Sequence, residues 1–148
     1  MRSIFDPAVR HSIARRFRDL TPGHTRKWGK LSTPEMLTHV SDQLRMAIGR
    51  LPASPIAGPL RHWPVNYLMV HMVPWPKGKA KGPREAFTTR PGNWEDDRAT
   101  FLGLLEELGS ADPGGTWPHH ASFGRISGKD WGVLTWRHLH HHLTQFGA

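Results

Sequence analysis

The sequence predicts an all-α fold, a bundle of four capped amphipathic helices and one short helix. Two observations carry this expectation. Apolar residues recur at three- and four-residue spacing behind recognisable helix starts, and no segment shows the two-residue alternation of a half-buried strand. At 148 residues with 37% hydrophobic content, the chain suits one domain, 1–148, with a modest core.

Asp6-Pro7 sets an N-cap before a proline in the first turn, and Ile13, Phe17 and Leu20 follow at helical spacing. A first helix is therefore expected over roughly 6–20, ended by Thr21-Pro-Gly. Ser32-Thr-Pro-Glu35 has the form of a capping box, and Met36, Leu37, Val40, Leu44, Ala47 and Ile48 continue an amphipathic second helix toward Gly49. Leu51 to Pro59 is a proline-rich connection, after which 60–73 fits a shorter helix interrupted by Pro64. Pro74 to Gly92 holds four prolines together with Lys77, Lys79, Lys81 and Arg84, and reads as a long irregular loop. Asn93, followed by Glu95, Asp96 and Asp97, places acid at a helix start, and Phe101, Leu102, Leu104, Leu105 and Leu108 supply its apolar side as far as Gly109. Asp112-Pro-Gly-Gly is a turn. Ser127-Gly-Lys-Asp130 then opens a terminal helix running to about Phe146.

The chain has no cysteine, which excludes disulfides, thiolate metal ligands and a cysteine nucleophile, and any thiol chemistry would need an external thiol. Its N-terminal segment lacks the apolar core of a signal peptide, and no run approaches membrane-spanning length, so a cytoplasmic location with no membrane partner is expected. The formal charge of +8 keeps an acidic partner such as nucleic acid open. Its distribution argues for a solvated surface instead, because the basic residues are divided between Arg10, Arg15, Arg16 and Arg18 and the lysine-rich loop, with few aromatics between them.

Eleven histidines are the chain's unusual feature. His138 and His142 lie four residues apart on the terminal helix, about 40° apart around its axis, so both imidazoles can face one ion. The cluster sits among Trp131, Leu134, Leu139 and Leu143, which distinguishes it from an appended tag. His141 is a fallback ligand, and His140 is expected to face solvent. A tripod needs a third ligand from another helix, and His39, among Met36, Val40 and Gln43, is the best candidate.

Three blocks carry a family resemblance: Trp28-Gly-Lys-Leu-Ser-Thr-Pro-Glu-Met-Leu-Thr-His39, His120-Ala-Ser-Phe-Gly124, and Trp131-Gly-Val-Leu-Thr-Trp-Arg-His138-Leu-His-His-His142-Leu-Thr-Gln-Phe-Gly147. Together they resemble a branch of the DinB/YfiT-like metalloenzyme superfamily, one catalogued as a domain of unknown function. The resemblance implies a four-helix bundle in up-down-down-up order, with 60–73 and the lysine-rich loop elaborating its long crossover. It also implies a metal held by one histidine of the second helix and a His-x-x-x-His pair of the last, positions that match His39, His138 and His142. Characterised relatives use low-molecular-weight thiols such as bacillithiol or mycothiol, among them thiol transferases and a maleylpyruvate isomerase, and a homodimer is also implied. One departure is Ala121, where relatives of this branch often carry proline.

Three neutral imidazoles leave open positions on an ion for water or substrate, and zinc and nickel both suit such a set. Glu35, Asp42, Gln43 and Gln145 lie about a turn from the ligands and are candidates to orient them or to bind substrate, each against a plainer surface or capping role. His120 could serve as an acid or base, or as a structural residue. Trp28 and Trp131 could wall a pocket, although core packing is the simpler role. His11, His24, His62, His71 and His119 have no partner at ligand spacing and read as solvated or core residues. The function expected is a metal-dependent enzyme, a small-thiol-dependent S-transferase or a hydrolase. The alternative is a non-catalytic module that binds metal or an acidic partner such as nucleic acid.

Overall fold

The computed structural model describes residues 1–75, 77 and 82–148; Lys79 and Lys81 of the expected basic loop lie outside the described residues. Five α-helices follow one another: α1 (Pro7–Asp19), α2 (Thr33–Ala47), α3 (Val65–His71), α4 (Trp94–Gly109) and α5 (Gly128–Gln145). No strand occurs among the described residues, where His120 and Gly124 form an isolated antiparallel bridge. The all-α expectation therefore holds.

The helix starts owe their positions to side chains that satisfy otherwise unpaired amides. The carboxylate of Asp6 accepts from the amides of Ala8 and Val9, and the Asn93 side chain accepts from those of Glu95 and Asp96. Ser32 with Glu35, and Ser127 with Asp130, form reciprocal capping boxes at the starts of α2 and α5, the two helices expected to carry the ligands. Between α2 and α4, a 3-10 turn at Pro59–Arg61 precedes α3, which begins directly after Pro64. The loop 74–92 corrects the reading of a wholly irregular segment, since Arg84–Phe87 forms a 3-10 helix within it.

One apolar cluster contains residues from all five helices. Ile13 and Phe17 of α1, Met36, Leu37 and Leu44 of α2, Phe101 and Leu105 of α4, and Leu139 and Leu143 of α5 are almost completely buried. Phe17 and Phe101 pack with ring centroids 4.1 Å apart, joining α1 to α4. Helix α4 packs on α1 and α2, and α5 packs on α1, α2 and α3, so α2 and α5 meet along part of their length. Gly132 permits a close approach on α5, because a Cβ there would run into Ser3 and Phe5. Arg137 ties α3 to α5 by donating to the carbonyls of Met69, Val70 and Val73 near the end of α3. None of the described helices is long and apolar enough to cross a membrane.

Candidate metal centre

His39 projects from the middle of α2, while His138 and His142 project from successive turns of α5. Where the two helices meet, the three rings converge. The His39 centroid lies 5.2 Å from that of His138 and 5.1 Å from that of His142, and the latter two are 4.7 Å apart. One nitrogen from each ring can be chosen so that all three lie within 4.8 Å of one another, and Nε2 of His138 and of His142 are 3.0 Å apart. Zinc–imidazole bonds of about 2.0–2.1 Å would need nitrogens roughly 3.3 Å apart in a tetrahedral site. The His138–His142 spacing is already close to that value, and the third nitrogen lies within 4.8 Å.

Hydrogen bonds on the far side of two rings fix which nitrogen can ligate. Nδ1–H of His39 donates to the Ala86 carbonyl at 2.8 Å, which leaves the Nε2 lone pair free. Nδ1 of His142 lies 2.8 Å from Oε1 of Gln145, whose amide nitrogen donates to the Trp28 carbonyl at 2.7 Å. A carbonyl only accepts, so the Gln145 nitrogen must face Trp28 and its oxygen must accept from His142. His142 is thereby held as the Nδ1–H tautomer, with Nε2 turned to the cluster. Such outer bonds both orient ligand imidazoles and raise their basicity.

The electrostatics keep the rings neutral, the form that binds metal. Burial pushes His142 down to about 3, with the adjacent His39 reinforcing it. Burial also lowers His138 well below the ordinary histidine range, helped by His142, His39, His141 and His120. His39 is lowered by burial against the opposing pull of the Ala86 carbonyl and Asp42.

The other expected helpers divide. Gln145 touches a candidate ligand, as its position one turn along α5 suggests. Glu35 does not reach the site: its carboxylate is engaged with Ser32 in the α2 capping box. Asp42 is buried beneath the site, paired with Arg45 at 2.8 Å and accepting from the Thr89 hydroxyl at 2.7 Å, and it acts on His39 only through its charge. Gln43 faces a cavity beyond the three rings. His141 lies outside the cluster of three, with its ring 6.1 Å from Trp28 and 6.2 Å from Trp75.

Two further histidines have partners that their sequence spacing does not announce. His140 is partly exposed on the cleft lined by Trp136, on which it stacks at 5.1 Å, and its Nδ1 accepts from Arg16 at 3.0 Å. The Nε2 of His71 lies 2.7 Å from Asp130, a residue of the α5 capping box. Trp131 is a core residue whose Nε1 donates to the Pro118 carbonyl, and Trp28 walls a cleft of about 290 Å³ together with Trp75, Lys77, Trp136 and Arg137. Within it Lys77 Nζ sits 4.7 Å over the Trp28 ring and the Arg137 guanidinium 5.4 Å over Trp75.

Sequence reasoning missed the 3-10 helix that backs His39. Besides the Ala86 carbonyl it contributes Phe87, whose ring stacks on His39 at 4.4 Å and 12°. Nothing local in the loop announces a contact across 47 residues of chain. Comparison of the whole chain with protein-family models, with curated proteins and with solved structures finds no match in any of the three.

Proposed function

We propose that His39, His138 and His142 hold one divalent ion, zinc or nickel, and that the protein is a metal-dependent enzyme that transfers a low-molecular-weight thiol to an electrophile. The observation that carries the metal reading is the convergence of three neutral imidazoles, two of them already hydrogen-bonded through Nδ1 so that Nε2 is presented. Nitrogen ligands alone, three in number, match catalytic sites that keep a position open. An ion bound there would act as a Lewis acid, lowering the pKa of a thiol or water and polarising a carbonyl.

The chain's own residues supply the rest of the reading. The cleft walled by Trp28, Trp75 and Trp136 adjoins the rings, with Trp75 6.0 Å from His138, and it carries two cations, Lys77 and Arg137. A small thiol bearing a carboxylate would find apolar walls for its body and positive charge for its acid group. The all-helical packing is read here as a DinB-like four-helix bundle in up-down-down-up order. A homodimer is part of the same reading, and the exposed Trp63, Tyr67, Leu68 and Met72 around α3 offer apolar surface for it.

The test is a panel of low-molecular-weight thiols mixed with an electrophilic aryl halide and metal-loaded protein, read as aryl thioether formed. The proposal expects thioether formation well above that given by free metal and lost in His39→Ala. Rates no greater than with free metal across the panel would overturn the transferase reading.

A further inference from the structure

A second cavity, of about 260 Å³, lies between the end of α2 and the segment that precedes α5, walled by Met46, Leu51, Pro83, Trp131, Gln43 and His120. Most of this lining is apolar, and of its two histidines His120 has a well-defined orientation.

The backbone of His120 is clamped to Gly124 by a reciprocal pair of hydrogen bonds, 2.8 and 2.9 Å long. The turn between them needs a residue at φ +67, which glycine supplies at position 124. The imidazole stacks on Phe123 at 4.8 Å and packs against Trp131 at 5.0 Å. Its Nδ1 accepts from two backbone amides, those of Ser122 and Phe123, each at 3.1 Å. A ring nitrogen that faces two N–H donors presents its lone pair and carries no hydrogen. The single hydrogen of the neutral ring must therefore sit on Nε2.

Burial, helped by the charge of Arg61, pushes this histidine down to about 4, so the ring is neutral in ordinary conditions. Among the described residues Nε2 has no acceptor, yet it is not among the sealed, unpartnered buried atoms. It therefore offers an N–H to accessible space. That disposes of His120 as an acid or base near neutral pH and leaves a fixed, uncharged hydrogen-bond donor.

We propose that this cavity binds a small uncharged carbonyl compound, an amide, ester or ketone, whose oxygen accepts from Nε2–H of His120. An anion fits the site poorly, since the guanidinium of Arg61 is engaged by the Ala121 carbonyl at 2.5 Å and the walls would strip water from a charge without replacing it. A cation would meet the wrong end of the N–H dipole. Gln43, which lines the cavity, lies one turn beyond His39 on α2. The electrophile of the proposed reaction would enter here. Only that assignment to the reaction rests on the metal-enzyme reading; binding of the carbonyl needs no metal.

The experiment uses chelator-treated protein, so that failure of the metal reading leaves it intact. Long-range nitrogen–proton NMR of the imidazoles reports the His120 tautomer, and titrations with benzamide, ethylbenzene and benzoate report binding. The expected result is a His120 Nε2–H signal unchanged from pH 5.5 to 8, with benzamide saturating and shifting it and binding at least fivefold more tightly than ethylbenzene or benzoate. His120→Phe should remove the preference for benzamide over ethylbenzene. Where that variant does not fold, Gln43→Leu keeps His120 in place and should retain the His120 shift with benzamide. An Nδ1–H tautomer, titration of His120 near neutral pH, tighter binding of benzoate, or no preference for benzamide over ethylbenzene would each overturn the proposal.

Discussion

Gln145 holds the His142 ring from behind: its Oε1 accepts from Nδ1–H at 2.8 Å while its nitrogen donates to the Trp28 carbonyl at 2.7 Å. The segment ahead of α2 thus sets the orientation of an imidazole on α5. The same bond links the Trp28-Gly pair to the terminal Gln-Phe-Gly.

Replacing Gln145 with alanine removes the group that fixes the His142 tautomer. Metal affinity should fall by about 10- to 100-fold, the usual consequence of losing an outer partner of a ligand. Competition against a colorimetric zinc chelator measures it. Affinity unchanged within twofold would mean that the helix alone orients His142.

Gly29→Ala tests the other end of that link. Gly29 sits at φ +86, where an L-residue costs roughly 1–2 kcal/mol, and a Cβ would collide with the Gln145 amide nitrogen. Urea unfolding should show a loss of at least that size, and metal affinity should drop with it as Gln145 is displaced. A loss of stability with undiminished affinity would uncouple Gly29 from the site.

The buried imidazoles give chelator-treated protein a defined response to acid. His142 and His120 are lowered to about 3 and about 4 when folded, and His39 and His138 are lowered too. In the unfolded chain each takes up a proton near about 6.5, so the unfolded state binds more protons below that value. This stabilisation is complete above about pH 6.5 and is lost as pH falls toward the folded values, at up to about 1.4 kcal/mol per pH unit for each histidine. Urea midpoints should change little near pH 7.5 and fall as pH drops below about 6.5 toward 5, and a flat profile would contradict neutral burial of these rings.

Leu105 of α4 is fully buried in the common cluster and distant in function from the rings. Leu105→Ala should cost about 2–5 kcal/mol, depending on how far the cavity collapses. Metal stoichiometry of the folded variant should equal that of the parent. Calorimetry and elemental analysis check the two halves separately.

What the sequence reveals follows the range of the interactions involved. Asp6, Ser32, Asn93 and Ser127 cap helices through bonds spanning two or three residues, so their positions can be read directly from the chain. The pairing of His138 with His142, and of His142 with Gln145, is equally local, being set by helical periodicity. His39 joins them only through packing of α2 on α5, which the spacing of apolar residues suggests without specifying. The Ala86 carbonyl and the Phe87 stack come from a loop whose composition carries no periodic signal. The stacking of His140 on Trp136, four residues earlier, is likewise local to α5.

The proposed function depends on one ion held by His39, His138 and His142. The most direct measurement is the metal content of untagged protein by elemental mass spectrometry, comparing wild type with the His138→Ala, His142→Ala double variant under equal zinc and nickel supply. Close to one ion per chain is expected in wild type and almost none in the folded variant. Wild-type protein that carries no metal and cannot be reconstituted, or a variant that retains its ion, would contradict it.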